Sequence, residues 1–112
     1  MEFTAKHRFA DMSARKIRPF ATLIRGKNAA EALELLSFYH NKGARLLKKV
    51  LESAIGNANQ QDQDVDLLVV TESRVDGAPM LKRIMPRARG TAYVIRRRMS
   101  HIIVSVGTGD AE

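Results

Sequence analysis

The sequence predicts an α+β fold: an antiparallel three-stranded sheet packed against three helices, with a long protruding β-hairpin. Three observations carry that expectation. Apolar residues recur at helical spacing in three segments between Ser13 and Ala58. Apolar and β-branched runs follow from Leu67 onward, after a short extended segment at the N-terminus. Between those late runs lies Met80 to Arg98, a stretch with seven Lys/Arg and no acid, interrupted by Pro86 and Gly90.

Glu2 to Ala10 reads as an extended arm or short strand. Ser13 is a candidate N-cap for the first helix, in which Ile17, Phe20, Ala21 and Ile24 share a face, and Gly26 suits the left-handed position that ends it. Pro19 lies inside this segment, so the helix is expected to kink there or to begin its regular part there. Asn28, with Glu31 three residues on, resembles a capping box opening a short second helix. Its stripe is Ala29, Ala32, Leu33 and Leu36, and it should end near Phe38.

Asn41 can cap a longer third helix, whose apolar face is Ala44, Leu47, Leu51, Ala54, Ile55 and Ala58. Gly56 weakens that helix by about 1 kcal/mol relative to alanine and is read as allowing close packing. Asn57 to Asp66 reads as fraying and then a loop. Leu67 to Val75 is a strand, Asp76 to Pro79 a turn or bulge, and Met80 to Met85 and Thr91 to Arg98 the two sides of a hairpin that reverses over Pro86 to Gly90. Ser100 to Val106 returns to the core as a strand, and Gly107 to Glu112 is expected to be a frayed tail.

The 112 residues suit one domain, 1–112, with the arm at 80–98, and 45% hydrophobic content is enough for a core. The net charge of +7 is unevenly placed. Met1 to Asn28 carries seven bases and two acids, Ala29 to Asp76 five bases and eight acids, and Gly77 to Glu112 seven bases and two acids. Two basic ends flanking a mildly acidic middle fit a polyanion held by particular surfaces. The absence of cysteine excludes disulfides, thiolate zinc sites and cysteine nucleophiles. No apolar run approaches a membrane span and the N-terminus lacks a signal pattern, so the expectation is a soluble intracellular protein with no membrane partner.

The arm is the main candidate for nucleic-acid contact. Six of its seven cations, Lys82, Arg83, Arg87, Arg89, Arg96, Arg97 and Arg98, are arginines, whose forked donors suit phosphate. Eight extended residues reach ~26 Å, too far to lie wholly on a small domain, and isolated two-stranded hairpins are marginal in water. Composition alone leaves both a solvated edge hairpin and a nucleic-acid arm open. A second basic cluster, Lys6, Arg8, Arg15, Lys16, Arg18, Arg25 and Lys27, favours nucleic acid, and His7 beside Lys6 and Arg8 is a further candidate phosphate contact. The face of Lys42, Arg45, Lys48 and Lys49 is weaker evidence for nucleic acid, since such a face is more often merely solvated.

Other features carry less. His7, His40 and His101 lack metal-ligand spacing, and His101 is placed at the base of the return strand. Asp62, Asp64 and Asp66 lack the following residues of a calcium loop. Gly26-Lys27 and Gly107-Thr108-Gly109 are not phosphate loops. Tyr93 is open between base stacking and packing, and Met85 between a tip contact and filler. No nucleophile, base and orienting group stand at recognisable spacing, so an enzyme is not expected, nor a metal or cofactor.

Five stretches, Ala5-Lys6-His7-Arg8, Leu23-Ile24-Arg25-Gly26-Lys27, Lys48 to Ile55, Leu81 to Gly90 and Ser100-His101-Ile102, resemble in order the family of bacterial-type large-subunit ribosomal protein number twenty-two. Leu81-Lys82-Arg83-Ile84-Met85-Pro86-Arg87-Ala88-Arg89-Gly90 is the most specific of them. Thr91, Tyr93, Met99 and Pro19 depart from the family's usual residues.

The resemblance implies a structural ribosomal protein, cytoplasmic in the ribosome, that binds large-subunit ribosomal RNA and aids its assembly. Its hairpin would thread into RNA, gripped along the shaft by Lys82, Arg83, Arg96, Arg97 and Arg98. The tip, Met85, Pro86, Arg87, Ala88, Arg89 and Gly90 with Thr91 beside it, would line the nascent-peptide exit tunnel. Implied partners are the RNA, neighbouring large-subunit proteins and the nascent polypeptide, with no homo-oligomer. A non-ribosomal nucleic-acid-binding module is the alternative.

Overall fold

Three apolar helix stripes and one face of a sheet close on one another to make the core. A computed structural model of the protein describes residues 2–61, 67–79, 81–86 and 92–108, with 81–86 and 92–97 described by their backbone. The chain order is β1 (Glu2–Ala10), α1 (Ala14–Ile24), α2 (Ala29–Ser37), α3 (Lys42–Gln60), β2 (Leu68–Gly77), β3 (Leu81–Pro86), β4 (Ala92–Arg97) and β5 (Ser100–Thr108). The expected α+β architecture is present: β5 lies between β1 and β2, antiparallel to both, and β3 pairs with β4 as a separate two-stranded sheet.

The helices form where the apolar periodicity places them. Ile17, Ala21 and Ile24 of α1, Ala29, Ala32 and Leu36 of α2, and Ala44, Leu47, Leu51, Ala54, Ile55 and Ala58 of α3 are buried. They meet Phe3 and Ala5 of β1, Leu68, Val70 and Val75 of β2, and Ile102, Val104 and Val106 of β5 in one cluster. Burying each Val, Leu, Ile or Phe side chain among them contributes about 1.5–3 kcal/mol. As the central strand, β5 also buries Ile103 on the face away from that cluster, where the register flanks it with Lys6 and Arg74. Side chains of that length can shield apolar neighbours with their stems.

Local chemistry sets the helix ends. Asn28 Oδ1 accepts from the amides of Ala30 at 3.0 Å and Glu31 at 3.5 Å, the expected cap. Phe38 is the C-cap of α2, its amide donating to Leu35 O at 3.2 Å. Gly26 has φ +82°, and its amide reaches across to Val70 O at 3.0 Å while Val70 N donates to Lys27 O at 2.8 Å. The turn after α1 is thus tied to β2 at the bulge between Val70 and Glu72. Ser13 and Asn41 occupy N-cap positions without side-chain capping bonds.

Several sequence expectations need correction. The regular helix does not begin at Pro19: α1 runs from Ala14 with Pro19 inside it. Both Pro19 and Arg15, whose carbonyl loses its helical donor, are exposed, so water can satisfy that carbonyl. Gly56 is not a point of close packing, since a Cβ there would meet nothing within 4 Å. The close approach is at Gly43, where a Cβ would lie 3.1 Å from Lys16 O and 3.5 Å from Ile17 Cα, because α3 starts against α1.

Asn57 does not fray but lies within α3 and donates to Thr4 O at 3.2 Å. Asp76 and Gly77 remain in β2, and Gly107 and Thr108 extend β5, because Gly107 pairs with both Glu2 and Val69. The acidic run Asp62, Asp64 and Asp66 and the last residues of the anticipated tail, 109–112, lie outside the described residues.

Candidate nucleic-acid interface

The backbone of the arm is a regular antiparallel ladder from Leu81 opposite Arg97 to Pro86 opposite Ala92. That register sets Lys82 directly across from Arg96. Like charges in opposed positions destabilise a strand pair, and a counter-charge relieves them. The molecule is elongated, 64 × 25 × 22 Å, with a radius of gyration of 17.2 Å. A compact domain of this length would have about 13 Å.

At the foot of the arm the core sheet and α1 converge. The amide of Ala78 donates to Met99 O at 3.0 Å, closing the base where the chain leaves β2 and re-enters β5. Beside that closure is a groove of about 630 Å³ lined by Ser13, Ala14, Arg15, Arg18, Gly77, Ala78, Arg98 and Met99. It joins residues from three separate parts of the sequence. None of these lining residues is acidic, and three are arginines. α1 begins here with Arg15 and Lys16 in its first turn and no acid, so cations stand at the positive end of the helix dipole. An anion in the groove is favoured by both sources of charge.

Residues 5–107 match the model of the family described as Ribosomal protein L22p/L17e. The chain belongs to this family. A relative named Large ribosomal subunit protein uL22, from Rhodopirellula baltica (strain DSM 10527 / NCIMB 13988 / SH1), is 49% identical over 111 residues, covering 94% of this chain and 93% of the relative. As a member of the L22p/L17e family, the protein is a structural constituent of the large ribosomal subunit and so belongs to the translation apparatus, in the ribosome of the cytoplasm.

Within the L22p/L17e fold, the residues singled out from sequence fall into three groups. Lys6 and Arg8 on β1 and Arg15 and Lys16 on α1 are exposed, and Arg98 is exposed at the arm's foot. Of these, Arg15 and Arg98 come together in the groove. His7 and Lys27 are half-buried; His7 pairs through its backbone with Ile102.

Arg18 and Arg25 form the second group. Arg18 Nε donates to Val75 O at 3.1 Å, and Arg25 Nη2 donates to Ser73 O at 2.7 Å. Both carbonyls belong to the outer edge of β2, so these guanidiniums seal a sheet edge. Arg18 also lines the groove.

The third group lies outside the described side chains: Lys82, Arg83, Met85, Pro86, Arg96 and Arg97 have described backbone, whereas Arg87, Ala88, Arg89, Gly90 and Thr91 lie outside the described residues altogether, as does the side chain of Tyr93. The face of Lys42, Arg45 and Lys49 borders a smaller hollow of about 180 Å³ with Leu46. Lys42 there is engaged by Asp11, at 3.8 Å to the carboxylate and 2.9 Å to the backbone carbonyl.

Sequence reasoning missed Phe9. Its amide donates to His101 Nδ1 at 3.0 Å and its ring meets the imidazole edge to face. The adjacent charges Lys6, His7 and Arg8 drew the reading instead, and a left-handed aromatic leaves no composition signal.

Proposed function

We propose that this ribosomal protein binds large-subunit ribosomal RNA through the arm 80–98 and the basic surface at its foot, and that it aids assembly by holding RNA segments in place. One observation carries the reading: an acid-free hairpin, separate from the core sheet, sets Lys82 across from Arg96. Such a strand pair is relieved by phosphate on its flanks. Arg15, Arg18 and Arg98 would take phosphate at the foot, with Lys6, His7, Arg8, Lys16, Arg25 and Lys27 adding to the basic surface. Lys82, Arg83, Arg87, Arg89, Arg96 and Arg97 would take it along the shaft.

The tip, Met85 to Thr91, would line the exit tunnel and meet the nascent polypeptide. The whole chain, 1–112, acts as one domain, a single copy beside neighbouring large-subunit proteins, with no cofactor and no catalytic step.

The arm's placement is testable because the chain has no cysteine. Ala88→Cys can carry a photocrosslinker at a unique position. In reconstituted large subunits translating a radiolabelled peptide, the expected result is capture of the nascent chain. Capture of surface-applied peptide instead, with none of the nascent chain, overturns the tunnel placement.

A further inference from the structure

Phe9 holds a backbone conformation that bulky residues rarely adopt. Its φ is 57°, in the region that favours Gly, Asn and Asp, where β1 loses register between His7 and Ala10. Burial does not hold it there, because the residue is 51% exposed. His101 holds it instead. The Phe9 amide donates to Nδ1 at 3.0 Å, and the ring centroids lie 4.8 Å apart at 85°. An edge-to-face contact orients the Phe9 ring without covering both of its faces.

The surroundings are cationic. Lys6 and Arg8 are exposed on the same strand as Phe9, and Ala10, next along the chain, pairs with Ser100 two residues from Arg98 of the groove. The acids at hand are engaged: Asp76, opposite His101, is bound by Arg74 at 3.2 Å, and Asp11 by Lys42 at 3.8 Å. Backbone held in a sparsely populated region concentrates at ligand clamps. Unpaired bases of RNA stack on aromatic rings that basic side chains bring within reach of the backbone. A protein partner would instead favour further exposed apolar groups around the ring, whereas its exposed strand neighbours are cations.

We propose that Phe9 is a stacking platform for one unpaired RNA base, oriented by His101 on the strand that also carries the exposed Lys6 and Arg8. The inference rests on the RNA-binding reading above, and the test separates the two. The chain contains no tryptophan, so Phe9→Trp creates a single fluorescent reporter at the site. Phe9→Asn keeps a residue type suited to the left-handed backbone and removes the ring.

Each full-length variant is titrated with large-subunit ribosomal RNA transcribed in vitro. The expected result is strong quenching of the Phe9→Trp emission on binding, and affinity ~10-fold or more weaker for Phe9→Asn. The salt slope of Phe9→Asn should match the wild type, because the ring makes no phosphate contact. Binding of Phe9→Trp with unchanged emission, or of Phe9→Asn at wild-type affinity, overturns the platform and leaves the RNA reading standing. Failure of the wild type to bind the RNA overturns that reading itself.

Discussion

Arg25 donates through Nη2 to the backbone carbonyl of Ser73 at 2.7 Å, tying the C-terminal end of α1 to the outer edge of β2. Arg18, two helical turns earlier, repeats the contact with Val75 at 3.1 Å. An edge strand exposes unpaired carbonyls that template unwanted pairing. Here two guanidiniums and the Gly26–Lys27 turn cover them. The same arginines sit in a basic cluster that sequence alone assigns to RNA. Arg25, tied to the sheet edge and absent from the groove lining, is in this unlike Arg15, whose exposed side chain borders the groove; Arg18 does both.

That difference yields the first prediction. Hydrogen bonds from charged groups contribute about 1.5–3 kcal/mol, and these two are partly buried. Arg25→Ala should therefore lower unfolding free energy by about 1–2 kcal/mol in urea titrations. Arg15→Ala should change it by less than about 0.5 kcal/mol, as exposed substitutions usually do. Equal stability of the two variants would remove the edge-sealing role.

A second prediction concerns the groove. Removing one cation that neutralises a phosphate lowers the dependence of log affinity on log salt by roughly one. Arg15→Ala and Arg98→Ala should each flatten that slope by about one while leaving the thermal midpoint unchanged. Filter binding of large-subunit RNA across a salt series measures it. A slope identical to the wild type in both variants shows that the groove holds no phosphate.

Much of this fold is legible in sequence because burial imposes periodicity. The stripe Ala44, Leu47, Leu51, Ala54, Ile55 and Ala58 is buried throughout, and Asn28 caps α2 because its short carboxamide reaches the first free amides. What is not legible depends on distant partners. An arginine has the same letter whether it meets a carbonyl of its own sheet, as Arg25 does, or solvent, as Arg15 does. The bond from Phe9 to His101 spans 92 positions and depends on a bulge that no local pattern marks. Gly43 and Gly56 share one helix, yet only the approach of α1 distinguishes them.

The two glycines supply the third prediction. At Gly56 a Cβ meets nothing within 4 Å, so Gly56→Ala gains helix propensity without a clash. The expected effect is about 0.5–1 kcal/mol of added stability. At Gly43 a Cβ would already stand 3.1 Å from the backbone oxygen of Lys16, and a branched side chain adds more volume against the same helix. Gly43→Val should destabilise by about 1–3 kcal/mol, as overpacking does. Opposite shifts in the urea midpoint are the signature; a stabilising Gly43→Val shows that α1 and α3 can separate without loss.

The fourth prediction separates the arm from the body. β3 and β4 pair with each other and not with the core sheet, and the Ala78–Met99 hydrogen bond already closes the chain at the arm's foot. Removing residues 81–98 and bridging the gap with a short glycine linker should leave β2 and β5 in register, since their pairing runs from Leu68–Thr108 to Gly77–Ser100 without the arm. Among the residues whose burial is described, the cluster contains none between Val75 and Ile102, so the described core keeps all its members when the arm is removed. The shortened protein should unfold cooperatively, with a far-ultraviolet spectrum still showing α-helix and a stability within about 1 kcal/mol of the full chain. Its RNA affinity should fall at every salt concentration, and its salt slope should flatten by several units, because all seven cations of the arm are gone. Loss of cooperative unfolding would mean that the arm supports the core. Unchanged affinity with a folded body would move the RNA contacts to β1 and α1.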